Sequence, residues 1–184
     1  MSPEKTVWTI GHSTRTLEEF IHLLLQNKIE MLVDIRSFPG SRKFPQFNKE
    51  NLSLSIPQQG IAYLHLVQLG GRRKVLKDSH NTAWRHPAFR GYADYMETPE
   101  FEHAIHELEA LASQKHLAYM CSEAVWWRCH RSMVSDWLKL HGWKVLHILD
   151  ENHLQEHPYT QPARLENGNL VYTPGKSGQL RLDL

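Results

Sequence analysis

The chain has 184 residues, 41% of them hydrophobic, with 21 Lys plus Arg against 20 Asp plus Glu and only two cysteines. That length suits one domain, 1–184, able to bury its apolar surface without help, and two cysteines exclude a disulfide scaffold. No apolar run nears the roughly 20 residues of a membrane span, and the opening Met1-Ser2-Pro3-Glu4-Lys5 lacks the secretory succession, so a cytoplasmic protein with no membrane partner is expected. The net charge of +1 conceals an asymmetry, because residues 36–77 hold eight basic residues and the single acid Glu50, a local +7 that leaves −6 for the rest. One part of the surface could therefore attract anions while the whole stays near neutral.

In chain order, Thr6–Ile10 reads as a first strand. A helix follows, because Thr16 and Glu19 have capping-box spacing and Leu17, Phe20, Ile21, Leu24 and Leu25 share one face. Met31–Ile35 reads as a second strand, Arg36–Phe47 as a long loop, and Asn48–Ile56 as a weaker helix ended by Pro57. Ile61–Leu66 is a third strand and Val67–Pro87 a second long loop, a length that compact domains mostly keep for function. Thr98 with Pro99 starts a helix carrying Phe101, Ile105, Leu108 and Leu111. His116–Cys121 is a fourth strand, a helix is expected from about Trp126 to His141 with Gly142 as its stop, and Trp143–Leu149 is a fifth strand. Residues 150–184 form an extension, with Asn167-Gly168 turning a small hairpin and the last ten residues loosely held. Strands alternating with helices specify an α/β fold: three layers, a mostly parallel five-stranded sheet, helices on both faces and a small C-terminal hairpin.

In such sheets ligands bind beyond the carboxyl ends of the strands, and the strand exits here are rich in chemistry. His12 and Ser13 follow the first strand; His12 could act as a general base or simply brace the turn. Asp34 sits in an apolar strand where an unpaired carboxylate would be costly. Either Arg36, two residues on and on the same face, pairs with it structurally, or Asp34 orients a substrate-binding group. Cys121 ends the fourth strand facing a helix start and nearby arginines, a setting that favours a thiolate nucleophile, although cysteine is also a common core residue. Glu123 could complement the next helix dipole or serve as a catalytic acid. A Cys-x5-Arg phosphatase signature is absent, since six residues separate Cys121 from Arg128.

Arg128 and Arg131, at i and i+3, can share a helical face and hold an anion. Cys129 and His130, adjacent on the expected helix, would diverge and make poor co-ligands for one metal. The loop 36–48 interleaves Arg36, Arg42 and Lys43 with Phe38, Phe44 and Phe47, which suits phosphate contact with base stacking unless the rings fold into the core. Gly70-Gly71 with Arg72, Arg73 and Lys74 adds a flexible basic element.

Together, Thr9-Ile-Gly-His-Ser-Thr, Leu32-Val-Asp-Ile-Arg with Pro39 and Ser41-Arg42, Pro45-Gln46-Phe47-Asn48, Ile61-Ala-Tyr, Leu69-Gly-Gly-Arg-Arg, Phe89-Arg-Gly-Tyr-Ala-Asp-Tyr-Met, Cys121-Ser-Glu and Cys129-His130-Arg131 resemble the domain of unknown function family 488 across about residues 6 to 150. The resemblance implies a compact α/β protein in which these motifs belong to one pattern. It implies no activity. The expectation is an enzyme, a thiol-dependent transferase or hydrolase needing no cofactor. Its substrate would be a phosphate-bearing or nucleic-acid-derived anion held by Ser13, Arg36, Arg42, Arg72, Arg73, Arg128, His130 and Arg131. Cys121, His12, Asp34 and Glu123 would supply catalysis. The alternatives are a non-catalytic nucleic-acid-binding module and a metal-dependent enzyme.

Overall fold

Thr16 opens the first helix as its spacing predicts: its hydroxyl accepts the Glu19 amide at 3.1 Å while the Glu19 carboxylate accepts the Thr16 amide at 2.8 Å. The structure is a computed structural model describing residues 2–175, so the loose tail expected of the last ten residues lies, save Gly175, outside the described residues. In chain order the elements are β1 (Thr6–Gly11), α1 (Leu17–Gln26), β2 (Met31–Asp34), α2 (Lys49–Ser55), β3 (Ala62–His65), α3 (Pro87–Tyr95), α4 (Pro99–Ala112), β4 (Leu117–Cys121), α5 (Arg131–Leu140), β5 (Lys144–Asp150), β6 (His153–Glu156), β7 (Arg164–Glu166) and β8 (Asn169–Val171). Thr98 caps α4, its hydroxyl accepting the Phe101 amide, with Pro99 at the first helical position. Gly142, at φ +84, turns the chain past the end of α5 in a conformation that suits a residue without Cβ.

The main sheet has the order β3-β2-β4-β1-β5-β6, parallel throughout except for β6, which runs antiparallel beside β5. The five expected strands are all present, and β6 adds a sixth at the edge. Both faces of the sheet are covered, which is why its strands read as nearly continuous apolar runs. In β4, Leu117 and Tyr119 join the core under α3, α4 and α5, whereas Ala118 and Met120 join the core under α1 and α2. The hairpin β7–β8 forms around Asn167-Gly168 as expected, and the extension packs on the domain through buried Ala163 and Tyr172.

Three elements differ from expectation. Residues 87–95, to which the sequence assigns no element beyond the end of the loop Val67–Pro87, are helical. The long helix expected from Trp126 is instead a 3₁₀ turn (Trp126–Arg128) and the separate α5, because Cys129 between them takes an extended backbone, φ −141° and ψ 171°. Cys129 and His130 therefore lie ahead of the helix rather than on its flank. Within the loop 36–48, residues Pro45–Phe47 form a 3₁₀ turn that carries Phe47 into the core.

The α4 stripe holds one half of the core, and Leu108 on it is fully buried. Leu108→Ala should lower unfolding free energy by about 2–5 kcal/mol through lost burial and a residual cavity, read as a lower urea midpoint at unchanged denaturant dependence.

Candidate active site

Strand order and register explain how distant residues meet. β2, β4 and β1 are neighbours, with Asp34 opposite Met120 and Gly11 opposite Cys121. The pairing continues past the strands: Ile35 donates to the Met120 carbonyl, His12 to that of Cys121 and Ser13 to that of Ser122. Gly11 is obligatory where the exits converge, since a Cβ there would lie 1.6 Å from the Glu123 carbonyl oxygen.

A cleft opens above these exits in two lobes that share Arg36, Phe38, Arg72, Ser122, Glu123, Trp127 and Arg128. The first, of about 760 Å³, is also lined by His12 and Ser13; the second, of about 620 Å³, by Cys121, Cys129 and His130. Phe38 and Trp127 stand exposed at its rim, 70% and 51% accessible. The Arg72 guanidinium lies 5.2 Å from the Phe38 ring, and neither Arg72 nor Arg128 makes an ion pair among the described residues.

Beneath the second lobe sit the two sulfur atoms, 2.9 Å apart. Cys129 Sγ accepts from Arg131 Nε at 3.3 Å and from the Arg131 amide at 3.4 Å. Arg131 is almost wholly buried, and its other guanidinium nitrogens donate to Thr9 Oγ1 at 3.1 Å and to the Glu123 carbonyl at 2.7 Å. No carboxylate among the described residues pairs with it. A guanidinium does not deprotonate in a protein, and a buried cation needs a counter-charge; the sulfur in contact is the group able to supply it. Burial pushes both thiols up. At Cys129 the hydrogen bond from Cys121 and the charges of Arg131 and His130 outweigh burial and hold the thiol well below its ordinary value. Burial and the Cys129 partnership instead push Cys121 well up, leaving it the protonated donor of the pair.

His12 stacks on Phe47, with ring centroids 4.3 Å apart and an interplanar angle of 13°, and its Nδ1 donates to the Ser13 carbonyl at 2.9 Å. That leaves Nε2 as the unprotonated nitrogen of the neutral ring. Burial, opposed by the Ser13 hydrogen bond, draws its pKa down to about 4. Asp34 and Arg36 form the structural pair: Arg36 Nε and Nη2 meet the two carboxylate oxygens at 2.9 and 2.7 Å, Tyr63 donates to Asp34 at 2.7 Å, and Arg36 also donates to the Phe47 carbonyl. Asp34 is thus fully engaged below the cleft floor that Arg36 lines. His130 donates Nε2 to the Ile35 carbonyl at 2.7 Å, its ring so close to Gly71 that a Cβ there would come within 2.5 Å.

Of the expected anion-binding residues, Ser13, Arg36, Arg72, Arg128 and His130 line the cleft, whereas Arg131 lies under it. The shared face expected of Arg128 and Arg131 does not form, because the break at Cys129 turns one to the rim and the other inward. Arg42 is exposed and does not line either lobe. Arg73 bonds the carbonyls of Gly70 and Gln68 and lies 3.5 Å over the Tyr95 ring, a structural use. Among the described residues no group of three or more His, Cys, Asp or Glu is arranged to hold a metal ion.

Sequence reasoning offered Phe38 as a stacking ring together with Phe44 and Phe47, but missed Trp127 as a rim residue and missed a buried polar chain behind Arg131. Thr9 Oγ1 contacts His147 Nδ1 at 2.6 Å, His147 Nε2 contacts His157 Nδ1 at 2.9 Å, and His157 Nε2 contacts Asp136 at 2.8 Å. Asp136 also accepts from Thr160 and Tyr172. The discoverable signal was Thr9 opposite His147 in neighbouring parallel strands, two polar residues facing one apolar layer. Burial, His157 and Arg131 together lower the pKa of His147 to about 2.

One family model, described as domain of unknown function DUF488, matches residues 16–138. No curated protein and no solved structure matches.

His12 and His147 both have folded-state values below the ordinary 6.5, so below that pH the unfolded chain takes up protons the folded chain refuses. Stability is complete above pH 6.5 and is expected to fall as pH drops toward 4, with a slope approaching about 1.4 kcal/mol per pH unit for each excluded proton. Denaturant midpoints across that window should show the decline, and His12→Phe, which keeps a ring on Phe47, should make it shallower.

Proposed function

The chain belongs to the DUF488 family, and from its cleft we propose that it is a thiol-dependent enzyme acting on a small substrate that joins an aromatic ring to phosphate, such as a nucleotide or nucleic-acid fragment. The observation that carries this reading is the Cys129 sulfur, held by Arg131 at the floor of a cleft rimmed by two exposed aromatic rings and two arginines that have no ion-pair partner among the described residues. Phe38 and Trp127 would stack on the ring, and Arg72 and Arg128 would bind the phosphate through charge-assisted hydrogen bonds.

In the reaction, Cys129 sulfur attacks an electrophilic carbon or phosphorus, and the leaving group departs with its electron pair and takes a proton from Glu123 or solvent. Water then gives a proton to Nε2 of His12 and cleaves the sulfur-linked intermediate, restoring the thiolate; another acceptor in place of water makes the same chemistry a transfer. The role that sequence alone gave Cys121 passes to Cys129 in this reading, because Arg131 donates to Cys129 directly. Asp34 becomes a positioning residue acting through Arg36. Cytoplasmic location accords with free thiols in the site.

A second reading, a single-strand-binding module, draws on the same exposed aromatic pair. It loses support from the loop 36–48, where Phe47 is buried and Phe44 is half-buried against the same core at the wall of the first lobe; Phe38 is the exposed ring of the three.

Titrating nucleoside monophosphates while following tryptophan fluorescence tests the proposal. The expected result is saturable quenching that weakens about tenfold in Arg72→Ala or Arg128→Ala and is lost in Trp127→Ala, with a shallow salt dependence reflecting few phosphate contacts. A steep salt slope with oligonucleotides bound far tighter than monophosphates would favour the binding module. Absence of binding by either class at millimolar concentration would overturn the reading.

A further inference from the structure

The chain has two cysteines, separated by seven residues in sequence. The fold sets their sulfur atoms 2.9 Å apart, and the partnership is not symmetrical. Each sulfur lies 3.9 Å from a backbone carbonyl, Cys121 from that of Glu123 and Cys129 from that of Trp126, but Cys129 Sγ alone receives two hydrogen bonds from Arg131. Access differs in the same sense: Cys129 is 9% exposed and Cys121 2%, and both line the second lobe. An anionic sulfur at the wall of a cleft, with a protonated thiol behind it, is the arrangement that two-cysteine peroxide chemistry requires. A nucleophile that served substrate attack alone would need no second thiol in contact.

We propose that Cys121 and Cys129 form a dithiol centre that reduces hydrogen peroxide, Cys129 being the attacking sulfur and Cys121 the resolving one. The proposal shares the Cys129 sulfur with the reading above but requires no substrate in the cleft. Cys129 thiolate attacks one peroxide oxygen, the O–O bond breaks, and the departing hydroxide takes a proton to become water, leaving Cys129 as a sulfenic acid. Cys121 then gives up its proton and attacks that sulfur; the S–S bond forms, the S–O bond breaks, and hydroxide with the released proton leaves as a second water. Two electrons pass from the two sulfurs to one peroxide, and a small thiol reductant restores the pair.

Geometry favours the closing step. An S–S bond is about 2.05 Å long, so the sulfurs need approach by only about 0.9 Å, and Cys129 is carried by extended backbone between a 3₁₀ turn and α5 rather than inside a helix. Arg131 donates to the attacking sulfur and to the Glu123 carbonyl, so it can stabilise negative charge as the O–O bond lengthens. Closing the disulfide removes the thiolate that answers the Arg131 charge, so oxidation would also silence any attack by Cys129 on a substrate.

The test is to treat reduced full-length protein with equimolar hydrogen peroxide, count free thiols by alkylation and mass spectrometry, and include a dimedone trap. The wild type should lose both thiols to an intramolecular disulfide that dithiothreitol reverses. Its rate should exceed that of free cysteine at neutral pH by tenfold or more. Cys121→Ser should instead accumulate a dimedone-trapped sulfenic acid on Cys129, and Cys129→Ser should react at least tenfold more slowly. Equal rates in the two variants, a wild type that keeps both thiols, or one that proceeds to sulfinic acid without a disulfide would overturn the proposal. Wild-type thiol counts decide the matter even if a variant fails to fold. Fast alkylation of Cys129 without disulfide formation would overturn this inference and leave the nucleophile reading intact, whereas a slow Cys129 would remove both.

Discussion

A buried guanidinium must be answered by a negative charge or by enough oriented dipoles to replace water, and Arg131 is the largest side chain that this fold encloses fully. Its nitrogens are distributed among a sulfur, a hydroxyl and a carbonyl, each from a different element: the turn before α5, strand β1 and the loop after β4. The cation therefore ties together the central strands and the helix that covers them. Because no carboxylate among the described residues pairs with it, the site's reactive character and the fold's internal electrostatics become one problem. In the proposed reading, a thiolate at Cys129 answers that buried positive charge, and reactivity would follow from it.

Behind Arg131 the hydrogen bonds continue in one direction. If Thr9 accepts from Arg131 and donates to His147 Nδ1, then His147 Nε2 donates to His157 and His157 Nε2 to Asp136, whose oxygens also collect the Thr160 and Tyr172 hydroxyls. Satisfied buried networks of this kind rigidify their members and specify one packing. They also give the C-terminal extension a purpose, since Thr160 and Tyr172 close the far end of a chain whose near end is the cleft. The Asp34–Arg36 pair does parallel work for the opposite wall, where Tyr63 and the Phe47 carbonyl complete its bonding.

Elements buried on both sides announced themselves in the sequence. β2 and β4 are short apolar runs because helices cover both faces, and α1 and α4 carry their own capping residues. The pairing of Asp34 with Arg36 was also foreseeable, as i and i+2 in a strand share a face. β6 was not legible: its residues are mostly exposed, and it is held by edge hydrogen bonds to β5 rather than by an apolar pattern. α3 was hidden by Gly91, which is there because a Cβ would press within 2.4 Å of the Arg73 carbonyl. The break at Cys129 was masked because Trp126, Met133, Val134 and Leu138 keep a helical rhythm across a segment that is not helical. Within the site, nothing local separates Arg72 at the rim from Arg73 folded onto Tyr95, or the exposed Phe38 from the buried Phe47; only the tertiary packing assigns them. The polar chain from Thr9 to Asp136 joins residues more than a hundred positions apart; the sequence shows Thr9 and His147 as polar residues within apolar strands, but only the strand pairing brings them together.

Everything rests on the charge state of the sulfur beside Arg131, and the ultraviolet absorbance of the thiolate measures it directly. Titrated from alkaline to acidic pH in the reduced protein, the account requires one thiolate equivalent to persist well below the ordinary cysteine value of about 8.5, and to vanish in Cys129→Ser but not in Cys121→Ser. Two thiols that both protonate at or above that value in the folded wild type would contradict it.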